Sequence, residues 1–227
     1  MSADNLILSL AVASWYQPAW LDCVRSWQQP FLLVPQMDIL PAYQLAFEKL
    51  QSADIIGYVH DDVIVHDPEW RARVLAEFAD NEVGIVGFGG APGIGHPLMY
   101  QVPYNPLSMG RVGFRSNMRN AEQHGARFTG SCEVAVLDGF TLFIRWQVLR
   151  ALGGWPLGTP LGYFLYDNAI CLLARRIGYK VRLVGVDCEH LGGKSTGLNP
   201  NLVANWEEAH QYFYDQFKDQ MPVMVEE

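Results

Sequence analysis

The chain has 227 residues, half of them hydrophobic and 12% aromatic, so it can bury a substantial core and is not a disordered segment. Its formal net charge of -8 argues against a nucleic-acid partner, which would need a basic face to meet phosphates. A phosphorylated ligand would reach so acidic a protein through a metal ion instead. Cys23, Cys132, Cys171 and Cys188 are widely spaced and form no C-x-x-C pair, which excludes zinc-ribbon and thioredoxin readings and leaves free thiols as the expectation.

In chain order, the run from Leu6 to Ala13 is apolar at nearly every position and predicts a strand buried on both faces. Asp4 precedes that run and the first basic residue is Arg25, so the charged start of a signal peptide is missing. No later stretch approaches the ~18 apolar residues of a membrane span, and a cytoplasmic protein without a transmembrane segment is expected. After a loop at Ser14 to Gln17, Pro18 opens a helix that ends before Pro30. Phe31 to Val34 is a short strand, and Asp38 to Leu50 a second helix with Ala42, Leu45, Ala46 and Leu50 on one face.

Ile55 to Val59 is the next strand, and it runs straight into His60-Asp61-Asp62. His66-Asp67-Pro68-Glu69 predicts a helix start with Asp67 as N-cap, the helix running to about Ala79 before a strand at Val83 to Phe88. This alternation predicts an α/β layer with a mainly parallel central sheet flanked by helices. Gly89 to Ser131 breaks the rhythm and is long enough to suggest a lid or binding segment. Its Gly87-Phe88-Gly89-Gly90 is not a dinucleotide fingerprint. Glu133 to Arg145 reads as strand interrupted at Asp138-Gly139, followed by a short helix over Gln147 to Leu152 that Gly153-Gly154 ends. A helix from about Asp167 to Ile177, a strand from Lys180 to Val186, a Gly-rich loop from Cys188 to Gly193 and a C-terminal helix from Asn201 to about Asp219 complete the chain. With no repeat and no linker, one domain over residues 1–227 is expected.

Two adjacent carboxylates at the end of an apolar strand repel each other, so a site that keeps them needs a cation or hydrogen-bond donors nearby. In parallel α/β sheets ligands sit beyond the carboxyl ends of the strands, where Asp61, Asp62, Asp138 and His190 are expected to fall, with Asp167 at a helix start. Asp62 with His190 would offer a hard cation such as Mn2+ or Mg2+ one carboxylate and one imidazole, leaving positions for water and diphosphate oxygens. Each residue also has a plainer reading. Asp167 could be only an N-cap, His190 a structural histidine, Asp138 a turn residue, and the acidic pair a solvated loop.

Tyr58-Val59-His60-Asp61-Asp62-Val63 resembles the DxD-type region of GT-A glycosyltransferases, in the family 2-like group where an apolar strand meets N-x-D or H-x-D. Val136-Leu137-Asp138-Gly139-Phe140, Gly153-Gly154-Trp155, Tyr166-Asp167-Asn168, Arg175 to Tyr179 and His190 follow in the order of that group, and Ile39 to Ala46 resembles its preceding helix. The resemblance implies a single GT-A-like (Rossmann-like) domain that moves a sugar from a nucleoside-diphosphate sugar to a carbohydrate, lipid or protein acceptor. It implies a nucleotide-sugar-binding half at 1–88, an acceptor-side segment at 89–131 and a catalytic half at 132–227. On this likeness Asp62 and His190 hold the metal, and His60, Asp61 and Ser14 lie on the donor side. Asp138, Gly139 and Tyr166 lie on the acceptor and sugar side, and Asp167 is the base of an inverting displacement.

Three departures stand out. Tyr166 replaces the acid of the E-D pair, Val34 to Asp38 replaces the usual aspartate-glycine-serine element, and Trp155-Pro156 replaces phenylalanine-aspartate. They keep open a catalytically inactive sugar-nucleotide-binding or interaction protein. His60-Asp61 alone would also suit a metal-dependent phosphoesterase.

Overall fold

The computed structural model describes residues 6–14, 20–95, 110–119, 125–192 and 206–225. In chain order the strands are β1 (Leu8–Ser14), β2 (Phe31–Pro35), β3 (Ile55–His60), β4 (Val63–Val65), β5 (Val83–Gly87), β6 (Gly89–Ala91), β7 (Gly93–Ile94), β8 (Arg111–Val112), β9 (Arg115–Ser116), β10 (Ala126–Arg127), β11 (Ser131–Glu133), β12 (Val136–Leu137), β13 (Thr141–Arg145), β14 (Lys180–Val184), β15 (Cys188–His190) and β16 (Val223–Met224). The helices are α1 (Trp20–Ser26), α2 (Ile39–Lys49), α3 (Trp70–Glu77), α4 (Trp146–Leu152), α5 (Tyr166–Arg176) and α6 (Trp206–Phe217).

Seven strands form the central sheet in the order β11-β14-β5-β13-β3-β1-β2. β1, β2, β3, β5 and β14 run one way, while β11 and β13 run against them, so the sheet is mixed with a parallel majority. Alternating side chains supply two cores, one on each face. Leu10 and Val12, Ile55 and Val59, and Phe143 pack with Val24, Trp27, Trp70 and Phe78 on the α1 and α3 side. Ala11, Ile56, Tyr58, Leu142 and Ile144 pack with α2, α4, α5 and α6 on the other. Gly57 allows this crowding, because a Cβ there would come within 2.7 Å of Leu10 and 2.8 Å of Phe143.

Some boundaries differ from the sequence expectations, for identifiable reasons. The Asp67-Pro68 signal marks a turn rather than the helix start. Asp67 Oδ1 accepts from the Glu69 N–H at 2.9 Å, and α3 begins only at Trp70. Asp167 is not an N-cap: α5 begins at Tyr166, after Leu165 at φ +61°, and no side chain caps it. The stretch from Glu133 to Arg145 is divided among β11, β12 and β13, which belong to two sheets. Cys188 to His190 is a strand rather than a loop, paired antiparallel with β4. Within 89–131, the short strands β6 to β10 join small side sheets. The expected helix start at Pro18 and residues 201–205 of the expected C-terminal helix lie outside the described residues.

Candidate functional site

Register brings the rim together. β1 and β3 run parallel with Ala13 opposite His60, so Ser14 ends beside the residue that follows His60. The Ser14 hydroxyl donates to Asp61 Oδ2 at 2.6 Å. β13 runs antiparallel to β3 with Thr141 opposite Val59, and the His60 N–H donates to the Phe140 carbonyl at 3.1 Å. The turn Asp138-Gly139-Phe140 therefore lies against His60. β4 continues from β3 and pairs with β15 so that His190 stands opposite Val63. The Leu191 N–H closes this corner by donating to the Asp62 carbonyl at 2.9 Å.

Three potential ligands meet there. His190 Nε2 lies 3.2 Å from Asp62 Oδ1, and His60 Nδ1 lies 4.0 Å from the same oxygen. One donor atom from each of His60, Asp62 and His190 falls within 4.8 Å of the other two, the one such group among the described residues. The His190 ring stacks on Phe140, with centroids 5.1 Å apart and planes at 18°. Burial works against the Asp62 carboxylate, but the hydrogen bond and charge of His190, with His60, hold it below its ordinary value. Burial likewise opposes charge on His190, and Asp62 overcomes it and raises the imidazole above its usual value. His60 is lowered, by burial first and then by the charge of His190. Asp61 is raised by burial, which its bond from Ser14 offsets only in part. The sequence grouped His60 with Asp61; in space His60 joins Asp62 and His190, while Asp61 turns to Ser14.

A second constellation adjoins it. Arg111, 6% exposed at its side chain, donates from Nη1 to Asp138 Oδ2 and from Nη2 to Asp167 Oδ2, each at 2.7 Å. Its Nε donates to Asn168 Oδ1 at 3.0 Å. Asp167 also accepts from the Gly139 N–H at 2.8 Å and the Asn168 N–H at 2.7 Å. Burial pushes the Asp167 carboxyl up, and Arg111 offsets this only in part. Asp138 is instead held below its ordinary value, because Arg111 and His190 outweigh its burial. The two constellations are joined through Tyr166, whose hydroxyl lies 3.0 Å from His60 Nε2. All nine residues expected at the site are thus in or beside one assembly at the carboxyl ends of β1 and β3. Sequence reasoning missed Arg111 and gave no role to Asn168 or Phe140, although both fall within the quoted motifs. A cavity of about 550 Å³ lies apart from them, between the end of α1 and the start of α3, lined by residues such as Ser26, His66 and Trp70.

The solved structures similar in fold include a mannosyltransferase, PcManGT from Pyrobaculum calidifontis, in complex with GDP-Man and Mn2+, with TM-score 0.55, 14% identity and coverage of 83% of this chain and 58% of that one. GalNAc-T7 with UDP, GalNAc and Mn2+ matches with TM-score 0.60 at 13% identity, over 93% of this chain and 50% of that one. A197 from STIV matches with TM-score 0.53 at 12% identity, over 83% of this chain and 87% of that one. The chain thus spans between half and three-fifths of the length of PcManGT and GalNAc-T7. None of the curated proteins matches by sequence. Residues 36–217 match the family described as glycosyltransferase-like, and the chain belongs to that family, in its GT-A, family 2-like form. Among the described residues no helix is long and apolar enough to cross a membrane.

Proposed function

We propose that the protein transfers a sugar from a nucleoside-diphosphate sugar to an acceptor hydroxyl, with inversion, using a divalent cation held by Asp62, His190 and His60. The observation that carries this reading is the convergence of those three ligands, one of them in hydrogen-bond contact with Tyr166, the residue that precedes the buried Asp167. The donor set fits a cation, since one carboxylate and two imidazoles face one point and leave positions for diphosphate oxygens. Such a set suits Mn2+ better than Mg2+, which favours oxygen ligands. A cation bound there would stabilise the charge developing on the departing diphosphate. Residues 1–88 then supply the donor side, with Asp61 and Ser14 beside the bound nucleotide. Residues 89–131 supply the acceptor side, with Asp138 and Gly139 at the sugar, and 132–227 the catalytic half.

Asp167 is the general base in this reading. Three of its roughly four lone-pair positions are taken by Arg111, Gly139 and Asn168, which leaves one to receive the acceptor proton. A carboxylate raised by burial yet kept ionised by Arg111 accepts a proton more readily than an exposed one. The test is Asp167→Asn assayed against a panel of nucleotide sugars and acceptors. Transfer should fall by about 10²–10⁴-fold while donor binding is largely kept. An unchanged rate would favour the non-catalytic sugar-nucleotide-binding reading.

A further inference from the structure

Tyr166 stands where the resemblance calls for an acid, and its hydroxyl is spent on an imidazole rather than on an acceptor. His60 presents its two ring nitrogens to different partners. Nε2 faces the Tyr166 hydroxyl at 3.0 Å, and Nδ1 faces Asp62 Oδ1 at 4.0 Å. An imidazole that gives the Nδ1 lone pair to a cation carries its proton on Nε2, and that proton needs an acceptor. The Tyr166 oxygen is placed to be it.

The tyrosine is itself held. Its ring lies 6.1 Å from that of Tyr43 and 6.3 Å from that of Trp155, both buried. On the other side Gly139 leaves the space the phenol occupies. A Cβ at Gly139 would collide with the hydroxyl and come within 2.6 Å of Tyr166 Cζ. The same glycine donates its N–H to Asp167. One turn thereby places two consecutive residues of α5, one aimed at each constellation.

We propose that Tyr166 is a positioning residue for the metal site: its hydroxyl, in the space left by Gly139, fixes His60 as the third protein ligand beside Asp62 and His190. This rests on the metal-dependent reading above, and its test separates the two. Mn2+ alone is titrated calorimetrically into the wild type, Tyr166→Phe, His60→Ala and the double variant, with pulsed electron paramagnetic resonance counting the imidazole nitrogens coupled to the ion. Tyr166→Phe should weaken Mn2+ binding by about 10–100-fold, as loss of an outer-shell partner does. The same change in the His60→Ala background should do nothing more, because the hydroxyl acts only through that ring. Gly139→Ala, which displaces the hydroxyl without removing it, should reproduce the loss. Two coupled nitrogens are expected in the wild type and one in His60→Ala. Equal Mn2+ affinity in wild type and Tyr166→Phe would overturn the role of Tyr166 and leave the metal site standing. So would an equal loss in both backgrounds, since it would mark a packing effect. No Mn2+ binding by the wild type would remove the metal reading as well.

Discussion

Two arginines are buried near opposite ends of β13, Arg145 on the strand itself and Arg111 reaching from β8 to the turn before it, and their partners separate structure from chemistry. Arg145, at the end of β13, donates from Nε to the Val83 carbonyl at 2.8 Å and from Nη2 to the carbonyls of Phe78 and Asp80. It stacks over the Phe78 ring at 5.2 Å and ties the end of α3 to the start of β5. Burial lowers its pKa, and the opposing pull of Tyr179, Asp54 and Asp80 offsets this only in part. Arg111, at the other end, is also pulled down by burial, but Asp167 and Asp138 overcome this and raise it. Burial alone would rank the two alike. An arginine spent on backbone carbonyls holds the fold, whereas one spanning two carboxylates keeps charge in place beside the histidine and aspartate cluster.

The largest expected effects come from removing these guanidinium groups. Arg111→Met leaves the buried Asp167 carboxylate facing the half-buried Asp138 and should cost about 3 kcal/mol at neutral pH. Arg145→Met removes the guanidinium bonds to three carbonyls, of which that of Asp80 keeps the Val83 N–H, and should cost about 3 kcal/mol. The pH trend distinguishes them. Without Arg111, the folded-state values of Asp138 and Asp167 rise above the unfolded one near ~4, so the folded protein binds more protons. Its stability should therefore recover as the pH falls from neutral toward that value. In the wild type the lowered Asp138 acts the other way, contributing stability that is lost as the pH falls through its folded-state value. Urea denaturation at pH 7 and pH 5 measures the difference. Parallel pH trends in the two variants would break the comparison. Transfer should be lost with Arg111→Met and retained, per folded molecule, with Arg145→Met.

A smaller effect belongs to the donor edge. Ser14→Ala removes the 2.6 Å bond to Asp61 and should raise the donor KM by roughly fivefold, about 1 kcal/mol, with kcat little changed. A fall in kcat of the size expected for Asp167→Asn would place Ser14 in the chemistry instead.

The sheet and most helices were legible because apolar runs such as Leu6 to Ala13 and Ile55 to Val59 are long enough to declare their burial. The rim was legible because carboxylates end one of those runs abruptly. Arg111 was not, since it lies in a stretch without periodicity and its partners Asp138 and Asp167 are 27 and 56 residues away. The pairing of β4 with β15, which delivers His190 to Asp62, involves strands of three residues each, too short to show a period. The second use of His60 depends on Tyr166, 106 residues further on, and on the space left by Gly139. Contacts of that kind exist only once the chain has closed.

The central claim is that the rim binds a nucleoside diphosphate through a cation on Asp62. The direct measurement is the thermal stability of the wild type and Asp62→Asn with a panel of nucleoside diphosphates, with and without Mn2+. At about 100 times the dissociation constant, one nucleotide should stabilise the wild type by about 2.7 kcal/mol, and only when Mn2+ is present. Asp62→Asn should lose that shift. A shift that survives Asp62→Asn, or no metal-dependent shift with any nucleoside diphosphate, would contradict the claim.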